Sequence, residues 1–209
     1  MVPIASYLGR DDAISLFPDE LPLQPGEQRQ RDDELPSCLR DASPDAWGRR
    51  VIVNRLTGKG GDAATRVELD ELTYLLESGS DRIGGLDFQI SPSSYLGRET
   101  ARDSLDDLLD AAERLERGEP LSPALTLALQ HGTSIGGARP KALLTSPAGK
   151  FIAKFSTSAD LYNPVKAEYL AMRLAHRAGL DVAPVVLTQA LGREVLLIER
   201  FDRVRQNTG

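Results

Sequence analysis

The sequence predicts an α+β fold in two units, a mainly helical one over residues 1–118 and a strand-rich one over residues 119–209. Apolar residues recur at helical spacing before Gly118, whereas short apolar and alternating runs follow Pro120. Gly118 and Pro120 also end a helical pattern, because glycine and proline interrupt regular structure. The boundary is therefore expected between Gly118 and Pro123.

The first unit is expected to be a helical subdomain with a small sheet. Its first 43 residues are rich in proline, which predicts loops and short strands. Leu86, Phe88 and Ile90 alternate with polar residues, which predicts a turn into a strand over residues 81–90. The helices predicted before the boundary span residues 46–56, 68–77 and 101–117.

The second unit is expected to contain two hairpins with a helix between them. A Ser-Pro-Ala-Gly turn at 146–149 separates the first two strands. Asn163 followed by Pro164 is a typical helix start, and Gly179 a typical stop. The predicted elements are a helix over 123–130, strands over 141–145 and 150–156, a helix over 164–177, and strands over 183–190 and 194–200.

Composition excludes several functional classes. The 209 residues include 25 basic and 31 acidic side chains, and this net negative charge argues against direct nucleic-acid binding. Cys38 is the single cysteine, so an intrachain disulfide and a thiolate cluster are impossible. His131 and His176 are too few and too distant for most zinc sites. No apolar run approaches the ~20 residues of a membrane span, and a cytoplasmic location is expected.

A small-residue loop over residues 133–141 (TSIGGARPK) leads directly into a predicted strand. Glycine allows a backbone to approach a phosphate closely and to direct N–H groups at its oxygens. A Gly-Gly pair also occurs in ordinary hairpin turns. The loop alone is therefore weak support for phosphate binding.

The residues that follow the loop strengthen that interpretation. Lys154 lies between apolar residues on a predicted strand, and Glu168 lies in the next helix. A strand lysine usually faces solvent, and an isolated helix glutamate is usually solvated. A protein kinase, however, needs a glycine-rich loop, a strand lysine and a helix glutamate in this order.

The last predicted strand runs into Glu199-Arg200-Phe201-Asp202-Arg203. Branched apolar residues that lead to an acidic residue are typical of a buried strand entering a kinase hinge, where the backbone meets adenine. An edge strand that ends in a charged loop remains the alternative for this segment.

Together these motifs resemble the HipA family of bacterial serine/threonine protein kinases. The resemblance covers residues 18–203 and includes motifs on both sides of the predicted boundary. The motifs that carry it are 41–50 (DASPDAWGRR), 81–88 (DRIGGLDF), 134–141 (SIGGARPK), 153–155 (AKF), Ala167-Glu168 and 199–203 (ERFDR).

The resemblance implies an ATP-binding, kinase-like N-lobe in a toxin of a type II toxin–antitoxin system. Such toxins phosphorylate a protein, in one case an aminoacyl-tRNA synthetase, and pair with a helix-turn-helix antitoxin (HipB-like) that binds DNA. Matching the family motifs makes Ser134 the autophosphorylated residue and Lys154 the phosphate ligand, with Glu168 orienting it. The residues so implied at the ATP site are Ser134, Ile135, Gly136, Gly137, Ala138, Lys154, Glu168, Glu199 and Phe201.

The family's catalytic-loop and magnesium-binding aspartates belong to a C-terminal lobe that follows the hinge, and the resemblance places them beyond Gly209. No catalytic residue and no metal ligand can be assigned in this sequence, so Mg²⁺ is expected only with the complete kinase. We accordingly expect the N-terminal portion of a kinase, inactive alone. Its uncovered face is expected to include apolar residues of strand 194–198.

Three alternatives remain at this point. The chain could be a truncated or split toxin whose catalytic lobe is on another polypeptide or has been lost. It could be a non-enzymatic regulatory or antitoxin-like module that docks on a separate kinase. It could also be an unrelated α+β protein with chance glycine motifs, which failure to bind ATP together with a sheet that lacks the loop–lysine–glutamate geometry would favour.

Overall fold

The computed structural model describes residues 10–25, 35–83, 85–91, 93–98, 104–130 and 132–203. This part of the chain forms seven helices and one four-stranded antiparallel sheet. The helices are α1 (Ser37–Asp41), α2 (Ala46–Thr57), α3 (Gly61–Thr65), α4 (Glu71–Glu77), α5 (Leu105–Arg117), α6 (Pro123–Gln130) and α7 (Pro164–Arg177). The strands are β1 (Lys141–Ser146), β2 (Gly149–Phe155), β3 (Val185–Ala190) and β4 (Arg193–Glu199).

Local capping sets several helix ends. The Asp70 carboxylate accepts a hydrogen bond from the Thr73 main-chain N–H at 2.9 Å, so α4 begins at Glu71 and not at the predicted residue 68. Ser104 caps α5 in the same way through the Asp107 N–H, at 3.1 Å. Residues 101–103 of the predicted helix lie outside the described residues.

The sheet has the order β1-β2-β4-β3, and every neighbouring pair is antiparallel. In the β1–β2 pair, Lys141 lies opposite Lys154, and in the β2–β4 pair Lys154 lies opposite Leu196. Helix α7 packs on β3 and β4. This arrangement brings α7 within reach of the Lys154 side chain on the neighbouring strand β2.

One apolar core joins the sheet to helices from the first half of the chain. Trp47 of α2 and Leu108 of α5 are fully buried in the same cluster as Phe155 and Val195 of the sheet. Because burial of each large apolar side chain contributes roughly 2 kcal/mol, this shared cluster stabilises both halves together. The division of the chain into two units, 1–118 and 119–209, stays a prediction.

Helix α2 approaches the start of the glycine loop through its backbone. A Cβ atom at Gly48 would lie 2.1 Å from the Thr133 carbonyl oxygen, a separation that no real side chain allows. Glycine at this position therefore lets α2 lie directly against the residue that begins the loop.

The strand predicted over residues 81–90 is wrong for the described residues of that segment, because Asp87 binds local groups instead of a neighbouring strand. Its carboxylate accepts the Phe88 main-chain N–H at 2.9 Å and the Arg98 guanidinium at 2.6 Å. Such local hydrogen bonds compete with a strand ladder. In the first 43 residues, the described part contains one isolated bridge, Phe17 to Leu21, and helix α1.

The expectation of exposed apolar residues in strand 194–198 is wrong for its centre. Val195 and Leu196 have no exposed surface, and Val195 belongs to the core that the sheet shares with α5. The large exposed apolar side chains of the second half lie elsewhere, including Leu170 and Leu174 on α7 and Phe201 after β4. In the described ranges, no helix combines the length and apolar character needed to cross a bilayer.

Candidate functional site

The centre of the candidate site is an ion pair between Lys154 on β2 and Glu168 on α7. The Lys154 Nζ lies 2.6 Å from Glu168 Oε1, and both side chains are partly exposed. The Asn163 side chain caps α7 by accepting the Lys166 N–H at 2.9 Å, and Pro164 begins the helix. These local signals place Glu168 in the second turn, within reach of the strand lysine.

A second lysine, Lys141, lies beside this pair. It is directly opposite Lys154 on β1, it is 3% exposed, and its Nζ has no hydrogen-bond partner among the described residues. Burial, and after it the positive charge of Lys154, lowers the pKa of Lys141 from 10.5 to about 8. Like charges opposite each other destabilise a strand pair, and an unpaired buried ammonium destabilises it further.

Sequence reasoning missed Lys141 as a site residue. The signal was present, because the turn predicted at 146–149 fixes the register of the hairpin. In that register the lysines at 141 and 154 face each other, as the structure shows. Counting outward from the turn would have placed both ammonium groups on one face.

The glycine loop lies over Lys141. Gly137 has a φ of 104°, in the region that side-chain-bearing residues rarely adopt, and a Cβ there would lie 3.0 Å from Lys141 Nζ. Gly136 and Ala138, its neighbours in the loop, are exposed. The backbone of the loop thus forms the outer wall of the lysine pair.

The N-terminal end of α2 holds this loop. The Asp45 carboxylate accepts a hydrogen bond from the Gly137 main-chain N–H. The Trp47 main-chain N–H donates to the Gly137 carbonyl at 3.3 Å, and the Arg50 guanidinium donates to the Ala138 carbonyl at 3.1 Å. Residues about 90 positions apart in sequence therefore meet at the loop.

Ser134 and Ile135 lie on the inner side of the loop. The Ser134 hydroxyl oxygen is buried without a hydrogen-bond partner in the described part of the chain. The residue Ser134 itself lines an open cavity of about 790 Å³ together with Asp45 and Gly136. Ile135 is 4% exposed, so its side chain belongs to the interior and only its backbone is available to a ligand.

The predicted adenine-side residues lie further along the sheet. Glu199 pairs with Phe151, three residues from Lys154 on β2, which corresponds to roughly 10 Å along a strand. The Glu199 N–H donates to the Pro184 carbonyl at 2.9 Å, and the Phe201 side chain is 89% exposed. The structure therefore places Glu199 on the strand pair that carries Lys154 and leaves Phe201 at the surface.

A buried charge cluster anchors this segment to the first half of the chain. The Asp81 carboxylate accepts from Arg200 Nη1 at 2.9 Å, from Arg203 Nη2 at 2.8 Å and from Lys150 Nζ at 2.7 Å. The Arg200 side chain is 1% exposed and also pairs with Asp202 at 2.6 Å. Sequence reasoning took residues 199–203 as a hinge motif and missed Asp81, whose partners are more than 60 positions away.

Residues 133–208 match the family model of the HipA-like C-terminal domain. The match contains the glycine loop, both lysines, Glu168, Glu199 and Phe201, and it supports the resemblance to the HipA family. Because the matched model is named for a C-terminal domain, the assignment of the whole chain to the family's N-terminal portion stays a prediction. No curated protein matches the chain.

The expectation about catalytic residues concerns the segment that follows the hinge motif. Arg203 is the last described residue, and Gly209 lies outside the described residues. The placement of the catalytic-loop and magnesium-binding aspartates beyond Gly209 is not tested by the structure and stays a prediction. Among the described residues, no group of three or more His, Cys, Asp or Glu side chains could hold a metal ion.

Proposed function

We propose that this chain is the ATP-binding part of a HipA-like serine/threonine protein kinase. The observation that carries the proposal is the buried Lys141 ammonium, which faces Lys154 and has no hydrogen-bond partner in the part of the chain that the structure describes. A buried charge of this kind is costly unless a ligand of opposite charge pairs with it.

The charges around the lysine pair favour an anion with several negative groups. Glu168 pairs with Lys154 at 2.6 Å, while the charge of Asp45 acts on Lys141 from the loop side. Arg50 adds a further positive charge near Lys141. A chain of phosphates matches two ammonium groups and the N–H groups of a glycine loop better than a single carboxylate does.

Each residue has a definite task in this proposal. Glu168 restricts the Lys154 side chain so that its ammonium faces phosphate oxygens, and Lys141 supplies a second charge beneath the loop. The loop N–H groups, including that of Gly137, donate to the same oxygens. Bound ATP supplies the phosphoryl group that the complete kinase transfers to a protein serine, with Mg²⁺ held by residues outside this set.

The wider role of the chain is part of the same proposal. It rests on the family match over residues 133–208 and on the loop, lysine and glutamate motifs. A toxin–antitoxin system with a helix-turn-helix antitoxin (HipB-like), an aminoacyl-tRNA synthetase as the protein substrate, and autophosphorylation at Ser134 are its components. The proposal places contact with DNA in the antitoxin and assigns no catalytic residue within this chain.

Calorimetric titration with ATP, ADP and adenosine tests the phosphate site. Lys154→Ala and Lys141→Ala should each weaken ATP binding by roughly tenfold or more, because each removes a hydrogen bond to a charged group worth about 1.5–3 kcal/mol. Adenosine binding should change little. Lys59→Ala is the charge-matched control, since Lys59 is exposed in the loop after α2.

Equal ATP affinity in the wild type, Lys154→Ala and Lys141→Ala would contradict the proposal. Absence of ATP binding in every variant would favour the alternative of a non-enzymatic module that docks on a separate kinase. That outcome can be followed directly by mixing the chain with a complete HipA-like kinase and measuring association.

A further inference from the structure

The glycine loop, which is proposed to bind the nucleotide phosphates, covers Lys141, one of the side chains proposed to bind them. The Lys141 Nζ has almost no solvent-accessible surface, and the Gly137 backbone lies directly over it. A phosphate oxygen cannot reach this ammonium while the loop stays in this position. Phosphate binding at Lys141 therefore requires the loop over residues 136–138 to lift.

The contacts that hold the loop down come from the first turn of α2. Asp45 occupies the N-cap position of α2, but its carboxylate does not cap its own helix. It accepts the Gly137 N–H instead, and a Cβ at Gly136 would lie 2.9 Å from the same carboxylate oxygen. The Trp47 N–H and the Arg50 guanidinium complete the contact by donating to loop carbonyls.

We propose that Asp45 is a positioning residue that latches the glycine loop over Lys141, so that nucleotide phosphates gain Lys141 only when Asp45 releases Gly137. The latch itself follows from the contacts of the loop, whereas its effect on nucleotide rests on the proposed function. In the proposed nucleotide complex, a phosphate oxygen would take the position at the Gly137 N–H that the Asp45 carboxylate occupies here.

Two physical effects make Asp45 oppose phosphate binding. First, it occupies a backbone donor, and a hydrogen bond to a charged acceptor is about twice as strong as a neutral one. Second, its negative charge lies close to the Lys141 ammonium and repels an incoming polyphosphate. Removal of the carboxylate should free the loop and strengthen nucleotide binding, which is the reverse of the effect expected for an ordinary ligand residue.

The latch can be measured without nucleotide by amine labelling. The chain is treated with an acylating reagent at pH 7.5, and the labelling rate at Lys141 is read by mass spectrometry relative to the exposed Lys59 in the same molecule. Asp45→Ala should raise the Lys141 rate roughly tenfold, since it removes a charge-assisted hydrogen bond. Asp45→Asn keeps an acceptor oxygen and should give a smaller increase, which covers the case in which the alanine variant folds poorly.

Asp41→Asn is the matched control. Asp41 lines the same cavity, and its substitution removes the same charge. It is, however, an exposed residue of α1 with no hydrogen bond to the loop among the described contacts. Its Lys141 labelling rate should equal that of the wild type. An unchanged Lys141 rate in both Asp45 variants, or an equal increase in Asp41→Asn, would overturn the latch.

ATP titration of the same variants separates the latch from the proposed function. If Asp45→Ala binds ATP more tightly, by a factor similar to the increase in its Lys141 labelling rate, the result supports both the latch and the nucleotide site. Faster labelling with no ATP binding in any variant leaves the latch standing and rejects the nucleotide site. Faster labelling with weaker ATP binding in Asp45→Ala overturns the proposal, because Asp45 would then assist nucleotide and not oppose it.

Discussion

Lys141 and Lys154 lie opposite each other on β1 and β2, but only Lys154 has a carboxylate, Glu168, within ion-pair distance among the described residues. The unbound protein therefore maintains an imbalance of charge at this point of the sheet. A sheet selected only for stability would place an apolar residue at one of the two positions. The imbalance should be measurable in stability as well as in ligand binding.

Lys141→Met should stabilise the unbound protein at pH 7. The pKa of Lys141 falls from 10.5 in the unfolded chain to about 8 in the fold, so folding opposes the charged form. The gain can reach about 3 kcal/mol at neutral pH. Urea unfolding of the variant and the wild type at pH 7 measures it.

The dependence of folding stability on pH tests the same effect of Lys141. Between pH 8 and 10.5 the unfolded chain binds a proton at Lys141 that the folded protein does not, so wild-type stability rises with pH. The difference between wild type and Lys141→Met should therefore shrink over this window and vanish above it. A constant difference from pH 7 to pH 10.5 would contradict the prediction.

Glu168→Gln should weaken ATP binding several-fold and change the free energy of unfolding by less than about 1 kcal/mol. The stability effect is small because the pair is partly exposed and solvent screens it. The affinity falls because Lys154 loses the partner that restricts its rotamers before ligand arrives. Glu194→Gln breaks a comparable pair with Lys166, at 2.5 Å, and should leave ATP affinity unchanged. Unchanged or tighter ATP binding by Glu168→Gln would count against the orienting role.

Asp81→Asn should destabilise the fold by about 3 kcal/mol, because it leaves the buried Arg200 guanidinium with less compensation. Burial alone would raise the pKa of Asp81, but the Lys150 hydrogen bond and the Arg200 charge hold it below its usual value. The stability that this carboxylate contributes is present above pH ~4 and is lost as the pH falls through the lowered pKa. Urea midpoints of the variant and the wild type should therefore converge in acid.

Asp110→Asn is the control for this cluster, since it breaks a partly exposed pair with Arg114 within one helix. It should cost less than about 0.5 kcal/mol. A similar loss in Asp81→Asn and Asp110→Asn would show that the buried cluster adds nothing beyond a surface ion pair.

Trp47, the single tryptophan, should report nucleotide binding through its fluorescence. Its indole N–H donates to the Lys141 carbonyl at 2.8 Å, and its main-chain N–H donates to the Gly137 carbonyl at 3.3 Å. Movement of the loop changes the charges around the ring and therefore its emission. ATP should shift the emission of the wild type, and Lys154→Ala should require roughly tenfold more ATP for the same shift. If the wild-type emission does not shift at saturating ATP, the expected link between nucleotide binding and the surroundings of Trp47 is wrong.

Much of the second half of the chain could be predicted because its signals are local. The structure confirms the predicted bounds of α6 and α7, and the four strands lie within two residues of their predicted ends. Asn163 caps α7 through its own side chain, and a turn of four residues fixes the first hairpin. In these segments, each element carries its own start and stop in the sequence.

The errors lie where a side-chain contact without a periodic signal decides the structure. The alternating pattern of Leu86 and Phe88 predicted a strand, but Arg98 and the Phe88 N–H bind the Asp87 carboxylate. The contact between Asp45 and Gly137 spans 92 positions and gives no periodic signal in the sequence. Lys154 and Glu168 could be proposed from the sequence because a known motif contains a lysine and a glutamate in this order. The latch of Asp45 on Gly137 belongs to no such motif.

The close approach of α2 to the loop restricts which residue can occupy position 48. Alanine is favoured over glycine by about 1 kcal/mol in a helix interior, so helix propensity alone would favour alanine at position 48. Here even a methyl group would meet the Thr133 carbonyl at 2.1 Å, whereas a Cβ at Gly85 meets nothing within 4 Å. A saturation library selected for folded protein should therefore recover many codons at position 85 and only glycine codons at position 48.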